Sequence, residues 1–96
     1  MVVEWLKFEV AKADQAVFLQ YDELIWTRAL ERYDGFIQKQ VWLEGDNKVI
    51  CVIWWAHRQL WKQIPPDDLT AIEEEWGRAL GLIPYNLLEV REFEVI

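Results

Sequence analysis

The sequence predicts an α+β domain of the ferredoxin-like β-α-β-β-α-β type, a four-stranded antiparallel sheet with both helices on one face. Three observations carry this. Apolar residues alternate, as in strands, over residues 2–10, 36–44, 48–56 and about 86–96. They recur at spacings of three and four over residues 14–33, and again over a broken region from His57 to Gly81. The resulting order is that of the split β-α-β fold, and 96 residues suit a single domain spanning 1–96.

In the first strand, Val2, Leu6, Phe8 and Val10 fall on one face with Glu4 as a lone intruder, and Val3, Trp5, Lys7 and Glu9 fall on the other. Asp14 is a candidate N-cap for the first helix. Phe18, Tyr21, Ile25 and Ala29 form its stripe, and Asp22, Glu23, Arg28, Glu31 and Arg32 occupy the polar remainder. Gly35 can take the left-handed conformation that closes a helix. Gly45-Asp46-Asn47 is a turn signal between the second and third strands. The third strand, KVICVIWWA, is apolar on both faces, which predicts a central position with both faces covered. Pro65-Pro66 stops the next helix. A restart capped by Asp67 or Asp68 carries Leu69, Ile72, Trp76, Ala79 and Leu80 inward, and Glu73-Glu74-Glu75 early in this helix form a solvated face. The last strand mixes Leu87, Leu88, Val90, Phe93 and Val95 with Glu89, Arg91, Glu92 and Glu94, a charge density that suits a sheet edge.

Composition bounds the partners. The chain is 53% hydrophobic with seven tryptophans, too apolar for disorder. Seventeen acidic against ten scattered basic residues give a net charge of −7, which argues against nucleic acid and anionic membranes. No apolar run is long enough to span a membrane, and the N-terminus lacks the segments of a signal peptide. A lone Cys51 inside an apolar strand reads as a buried small residue, which fits a reducing, cytoplasmic setting. The helix-free sheet face keeps Trp5 or Trp42 and one row of the third strand, so the sequence predicts a two-fold homodimer through that face.

Several segments carry a resemblance: Val3-Glu4-Trp5-Leu6-Lys7-Phe8, Ile25-Trp26-Thr27-Arg28-Ala29-Leu30, Gly35-Phe36, Val41-Trp42-Leu43, Trp54 to Lys62, and Tyr85-Asn86-Leu87-Leu88-Glu89. As a set they resemble a family of small, uncharacterised cyanobacterial proteins in the dimeric α/β-barrel superfamily, which is similar to the antibiotic-biosynthesis monooxygenases. The resemblance covers nearly the whole chain and implies a small-ligand cleft between helices and sheet, with the activity open. The Asn, Trp and His set used by haem-degrading members is not matched, because the first strand has no Asn and His57 lies three residues after Trp54.

No catalytic motif stands out. There is no serine, no glycine-rich phosphate loop and no metal-ligand spacing, so no cofactor or metal is expected. His57, the only histidine, reads either as a general base at a strand end or as a residue of a helix cap. Tyr21, Trp26, Arg28, Trp54, Trp55 and Trp61 are the candidate ligand-binding set, which core packing also explains. Three functions stay open: a binder of a small apolar or aromatic molecule, a cofactor-independent monooxygenase acting on an aromatic substrate, and a purely structural dimer.

Overall fold

A computed structural model describes all residues, Met1–Ile96. The elements run β1 (Val2–Glu9), α1 (Lys12–Tyr21), a π-helical stretch (Asp22–Thr27), α2 (Arg28–Leu30), β2 (Phe36–Glu44), β3 (Lys48–Trp55), α3 (Arg58–Lys62), α4 (Pro66–Leu80) and β4 (Asn86–Glu94). The sheet is antiparallel, with strand order β2-β3-β1-β4. The fold is thus ferredoxin-like α+β, with β3 central and the charged β4 at an edge. No helix is long and apolar enough to cross a membrane.

Local details depart from the sequence reading in instructive ways. Asp14 does not cap α1: the helix starts earlier, with Ala11 at the N-cap position, and Asp14 lies in the first turn. Neither Asp67 nor Asp68 caps α4. Pro65 holds the cap position and Pro66 the first turn, where a missing N–H costs nothing, while both aspartates sit where acidic charge complements the helix dipole. Glu73, Glu74 and Glu75 are exposed in the middle of α4 rather than at its start. The first helix is also not α-helical throughout. Its π-helical turns accommodate one extra residue and rotate the next turns of the helix, and Asp22, expected on the polar face, is 5% exposed against the sheet.

Two buried clusters occupy the helix-covered side. Val10, Phe18, Ile25, Val49, Ile72 and Trp76 belong to the larger. It is knit by tilted and edge-on contacts among Phe8, Phe18, Trp76 and Tyr85, with Phe18 and Trp76 centroids 5.0 Å apart. Val2, Leu30, Ile53, Trp55 and Ile64 form the smaller, at the end covered by α3. Leu6 and Trp26 pack against both. The Pro65-Pro66 break divides the second helical layer into α3, whose Trp61 packs against the smaller cluster, and α4, which supplies Ile72, Trp76 and Leu80 to the larger and packs Leu69 against the smaller.

The helix-free face carries a third cluster. Val3, Ile50 and Val52 are buried there, with Trp5 and Trp54 packed against them. The prediction that β3 must be covered on both sides holds, but part of the cover comes from the chain's own tryptophans. Trp42 and Phe93 remain 44% exposed on the flanking strands.

Candidate functional site

The gap between the two helix-side clusters is a cavity of about 440 Å³, lined by 17 residues of which 12 are hydrophobic. Its floor is the sheet: Glu4, Leu6 and Phe8 of β1, Lys39 of β2, Cys51 and Ile53 of β3. Its walls come from Asp22 and Trp26 on the π-helical stretch, Trp61 on α3, and Leu69 and Trp76 on α4. Lys62 and Glu73, both exposed, and Leu87 of β4 complete the lining toward solvent. Leu87 reaches this side because a register shift at Lys7/Phe8 turns the start of β4; simple alternation puts it on the opposite face.

Five charged side chains interrupt the apolar lining: Glu4, Asp22, Lys39, Lys62 and Glu73. Asp22 and Lys39 form an ion pair at 2.7 Å, with side chains only 7% and 3% exposed. Desolvation by burial raises the Asp22 pKa, and the adjacent Lys39 ammonium offsets part of that rise. Glu4 accepts a hydrogen bond from the Trp55 indole N–H at 3.3 Å. Burial raises its pKa as well, against the lowering effect of the Trp55 bond and of Lys62 and Lys39. The Cys51 thiol lies 3.9 Å from the Asp22 carboxylate and is pushed up to about 12, first by burial and then by the Asp22 charge. It is no nucleophile there. Trp76 donates to the Tyr85 hydroxyl oxygen at 3.0 Å, leaving the Tyr85 proton free at the cavity wall.

The topology together with this cavity allows comparison with known proteins. No protein-family model matches the sequence, and no curated protein matches it. Solved structures do. SnoaB, a cofactor-independent oxygenase from Streptomyces nogalater, superposes with a TM-score of 0.66 at 20% identity, over 99% of this chain and 92% of that one. A monooxygenase from Streptomyces coelicolor, solved with nanaomycin D, gives 0.68 at 16% identity over 96% and 82%. A dimeric ferredoxin-like protein from an uncultured marine organism gives 0.63 at 12% identity over 99% and 94%. The chain has the fold of the antibiotic-biosynthesis monooxygenases.

Within this monooxygenase-like fold the residues singled out from sequence do not gather at one place. Trp26 and Trp61 line the cavity. Trp55 is fully buried beneath it and reaches the lining through its bond to Glu4. Tyr21 packs partly buried against the larger cluster. Trp54 lies on the opposite, helix-free face, because it alternates with Trp55 along β3. Arg28 is exposed on α2, and His57 is exposed at the N-cap position of α3, outside the cavity lining. Sequence reasoning missed the polar set Glu4, Asp22 and Lys39. One signal was available: Glu4 is the only charge among the inward residues of β1. Asp22 gave none, because the π-helical turns that bring it inward have no mark in the spacing.

Proposed function

We propose that the protein binds a small apolar or aromatic molecule between its helices and its sheet. The observation that carries this is the cavity of about 440 Å³, walled mainly by apolar side chains yet holding a buried ion pair and a half-buried carboxyl group. Its volume falls within the roughly 300–1,000 Å³ of small-molecule sites, and a few fixed polar groups among apolar walls are what such sites share. Charged groups are kept out of water at a cost, so their concentration in a cleft points to use. Trp26, Trp61 and Trp76 report occupancy directly. Titration with planar aromatic compounds should quench tryptophan fluorescence saturably, and Leu6→Trp, which narrows the cavity from its floor, should weaken the binding at least tenfold. Quenching that Leu6→Trp leaves intact would place the ligand elsewhere and overturn the proposal.

A second reading, cofactor-independent oxygenation of an electron-rich aromatic substrate, is favoured by one further observation. The cavity holds carboxyl groups with raised pKa in a largely apolar space, where a carboxylate is a stronger base than in water. In this chemistry the substrate carbanion reduces oxygen, and the protein deprotonates, orients and excludes water. Glu4 on the cavity floor is the base the geometry favours; His57, the base suggested by the sequence, stands outside the lining at the start of α3. Oxygen uptake with hydroquinone-like substrates should fall at least tenfold in one of Glu4→Gln and His57→Ala; no uptake by the unaltered protein removes the reading.

We further infer that the chain acts as one domain, in a reducing compartment, and pairs through its helix-free face. Trp5, Trp42, Trp54 and Phe93 on that face support the pairing.

A further inference from the structure

We infer that the cavity is cut for an uncharged molecule with a carbonyl oxygen at one end, received by Lys39, and a hydroxyl group at the other, received by Glu4. This rests on the ligand-binding reading above and names the ligand's chemistry.

The sheet register supplies the geometry. Lys39 pairs with Ile53, and Ile53 pairs with Glu4, so the three form one row across β2, β3 and β1. Two interstrand steps separate the outer two backbones by about 10 Å. Between the ammonium and the carboxyl group the floor is apolar, with Ile53 in the row and Cys51 and Leu6 in the next. A polar cation, an apolar strip and a polar acid thus succeed one another along a line, under a wall that includes Trp26 and Trp61.

The unused hydrogen-bonding capacity supplies the chemistry. An ammonium has three donors. The buried Lys39 group uses one, to Asp22 at 2.7 Å, and no other protein acceptor takes the remaining two. Glu4 receives the Trp55 indole on one oxygen, and its other oxygen has no protein donor. Both residues line the cavity, so this spare capacity is open to a ligand held there. A carbonyl oxygen satisfies the first and a hydroxyl the second.

Charge selects against an anion. Asp22 already neutralises Lys39, and the lining carries three carboxyl groups, Glu4, Asp22 and Glu73, against two ammonium groups, Lys39 and Lys62. A carboxylate or phosphate at Lys39 would lie against Asp22 in a medium that screens little. A neutral carbonyl takes the spare N–H groups without that repulsion.

The test compares planar three-ring probes by tryptophan quenching and calorimetry: fluorene, fluorenone, hydroxyfluorene, a hydroxyfluorenone with its hydroxyl on the ring edge remote from the carbonyl, and fluorenone carboxylate. The hydroxyfluorenone should bind about tenfold or more tighter than either single-group probe, the return expected of one hydrogen bond to a charged group. Fluorenone carboxylate should bind more weakly than fluorenone. Asp22→Asn combined with Lys39→Met, which leaves no buried charge unpaired, should erase the carbonyl advantage and keep the hydroxyl advantage; Glu4→Leu should do the reverse. Equal affinities for fluorene and hydroxyfluorenone, or tightest binding of the carboxylate, overturn the inference while leaving the cavity as a binding site. Failure of every probe, fluorene included, overturns the binding reading itself and this inference with it. The probe ranking on the unaltered protein decides the matter even if a variant does not fold.

Discussion

Glu4 is the residue on which sequence and structure speak most directly to each other. It interrupts an otherwise apolar inward row of β1, and the structure places it on the cavity floor with a raised pKa. A carboxyl group whose pKa is higher folded than unfolded binds more protons in the folded state. Its favourable contribution is therefore present at low pH and is lost as pH rises through the folded value. Asp22 is shifted in the same direction. Stability at neutral pH should accordingly increase as pH falls toward the ordinary carboxylate range. Glu4→Gln, which keeps an acceptor for the Trp55 indole, should raise Tm at neutral pH by a few degrees, with the gain shrinking on acidification. Thermal melts of both proteins across this range check it, and a gain independent of pH would mean that the Glu4 charge is not what destabilises the fold. For the Asp22–Lys39 pair, removing one partner leaves a buried charge alone, so Lys39→Met should cost about 3–5 kcal/mol. Asp22→Leu in the same chain should restore most of that, as read from urea midpoints. Cys51, at about 12 and buried, should react with aromatic disulfide reagents far more slowly in the native protein than in the unfolded chain.

At the scale of elements, legibility in the sequence depended on whether a feature leaves a periodic trace. Strands and helices do. The two-faced apolarity of β3 gave its central place, and the charges of β4 gave its edge place. The cavity depends on features that leave none. One is the π-helical stretch Asp22–Thr27, which redirects Asp22 by a change in hydrogen-bond span rather than in residue pattern. Another is the shift at Lys7/Phe8 that turns Leu87 inward. Thr27, within the π-helical stretch, has a buried hydroxyl with no partner, a local cost of that geometry. The Pro65-Pro66 break was legible, but its consequence, a second helical layer parted over the sheet, needed the third dimension. Close packing fixes the other boundary of this layer. Gly35 has φ of 90°, and a Cβ there would lie 2.8 Å from the Cβ of Leu60 on α3. Its carbonyl also accepts from the Ala56 amide at 2.7 Å. Gly35→Ala should therefore destabilise by about 2–4 kcal/mol, from backbone strain and the clash together. Gly45 also has positive φ, 58°, but meets nothing within 4 Å, so Gly45→Ala should cost only about 1 kcal/mol. Urea denaturation of the two variants side by side separates strain from crowding. Equal losses would mean that the approach of α3 to Gly35 carries no energy.

For the whole molecule the open question is what covers the helix-free face. The need is smaller than the two-faced apolarity of β3 suggests, since Trp5 and Trp54 already shelter Val3, Ile50 and Val52. What remains is an aromatic band from Trp42 on β2 to Phe93 on β4, edged by polar contacts: Trp42 donates to Gln40 at 3.0 Å, Lys7 pairs with Glu44, and Arg91 lies 5.7 Å from the Trp5 ring. Two such faces stacked about 10 Å apart would bury roughly 800 Å² on each, the size of a specific interface. Association must also overcome repulsion between two chains that each carry −7. Added salt shortens the Debye length from about 10 Å at 0.1 M to about 3 Å at 1 M and should relieve that repulsion. A dimer held by aromatic burial should therefore tighten with sodium chloride, whereas one held by Lys7, Glu44, Arg91 and their neighbours should loosen. Sedimentation across a salt series distinguishes the two. Trp42→Glu adds charge at the exposed end of the band and should weaken the dimer by at least a hundredfold while leaving the far-ultraviolet spectrum unchanged. Because Trp42 lies on the face opposite the cavity, ligand affinity in that variant should stay within about threefold of the unaltered protein. A monomer at micromolar concentration that still bound the planar probes would assign the ligand site to the single chain and leave the pairing without a role in binding.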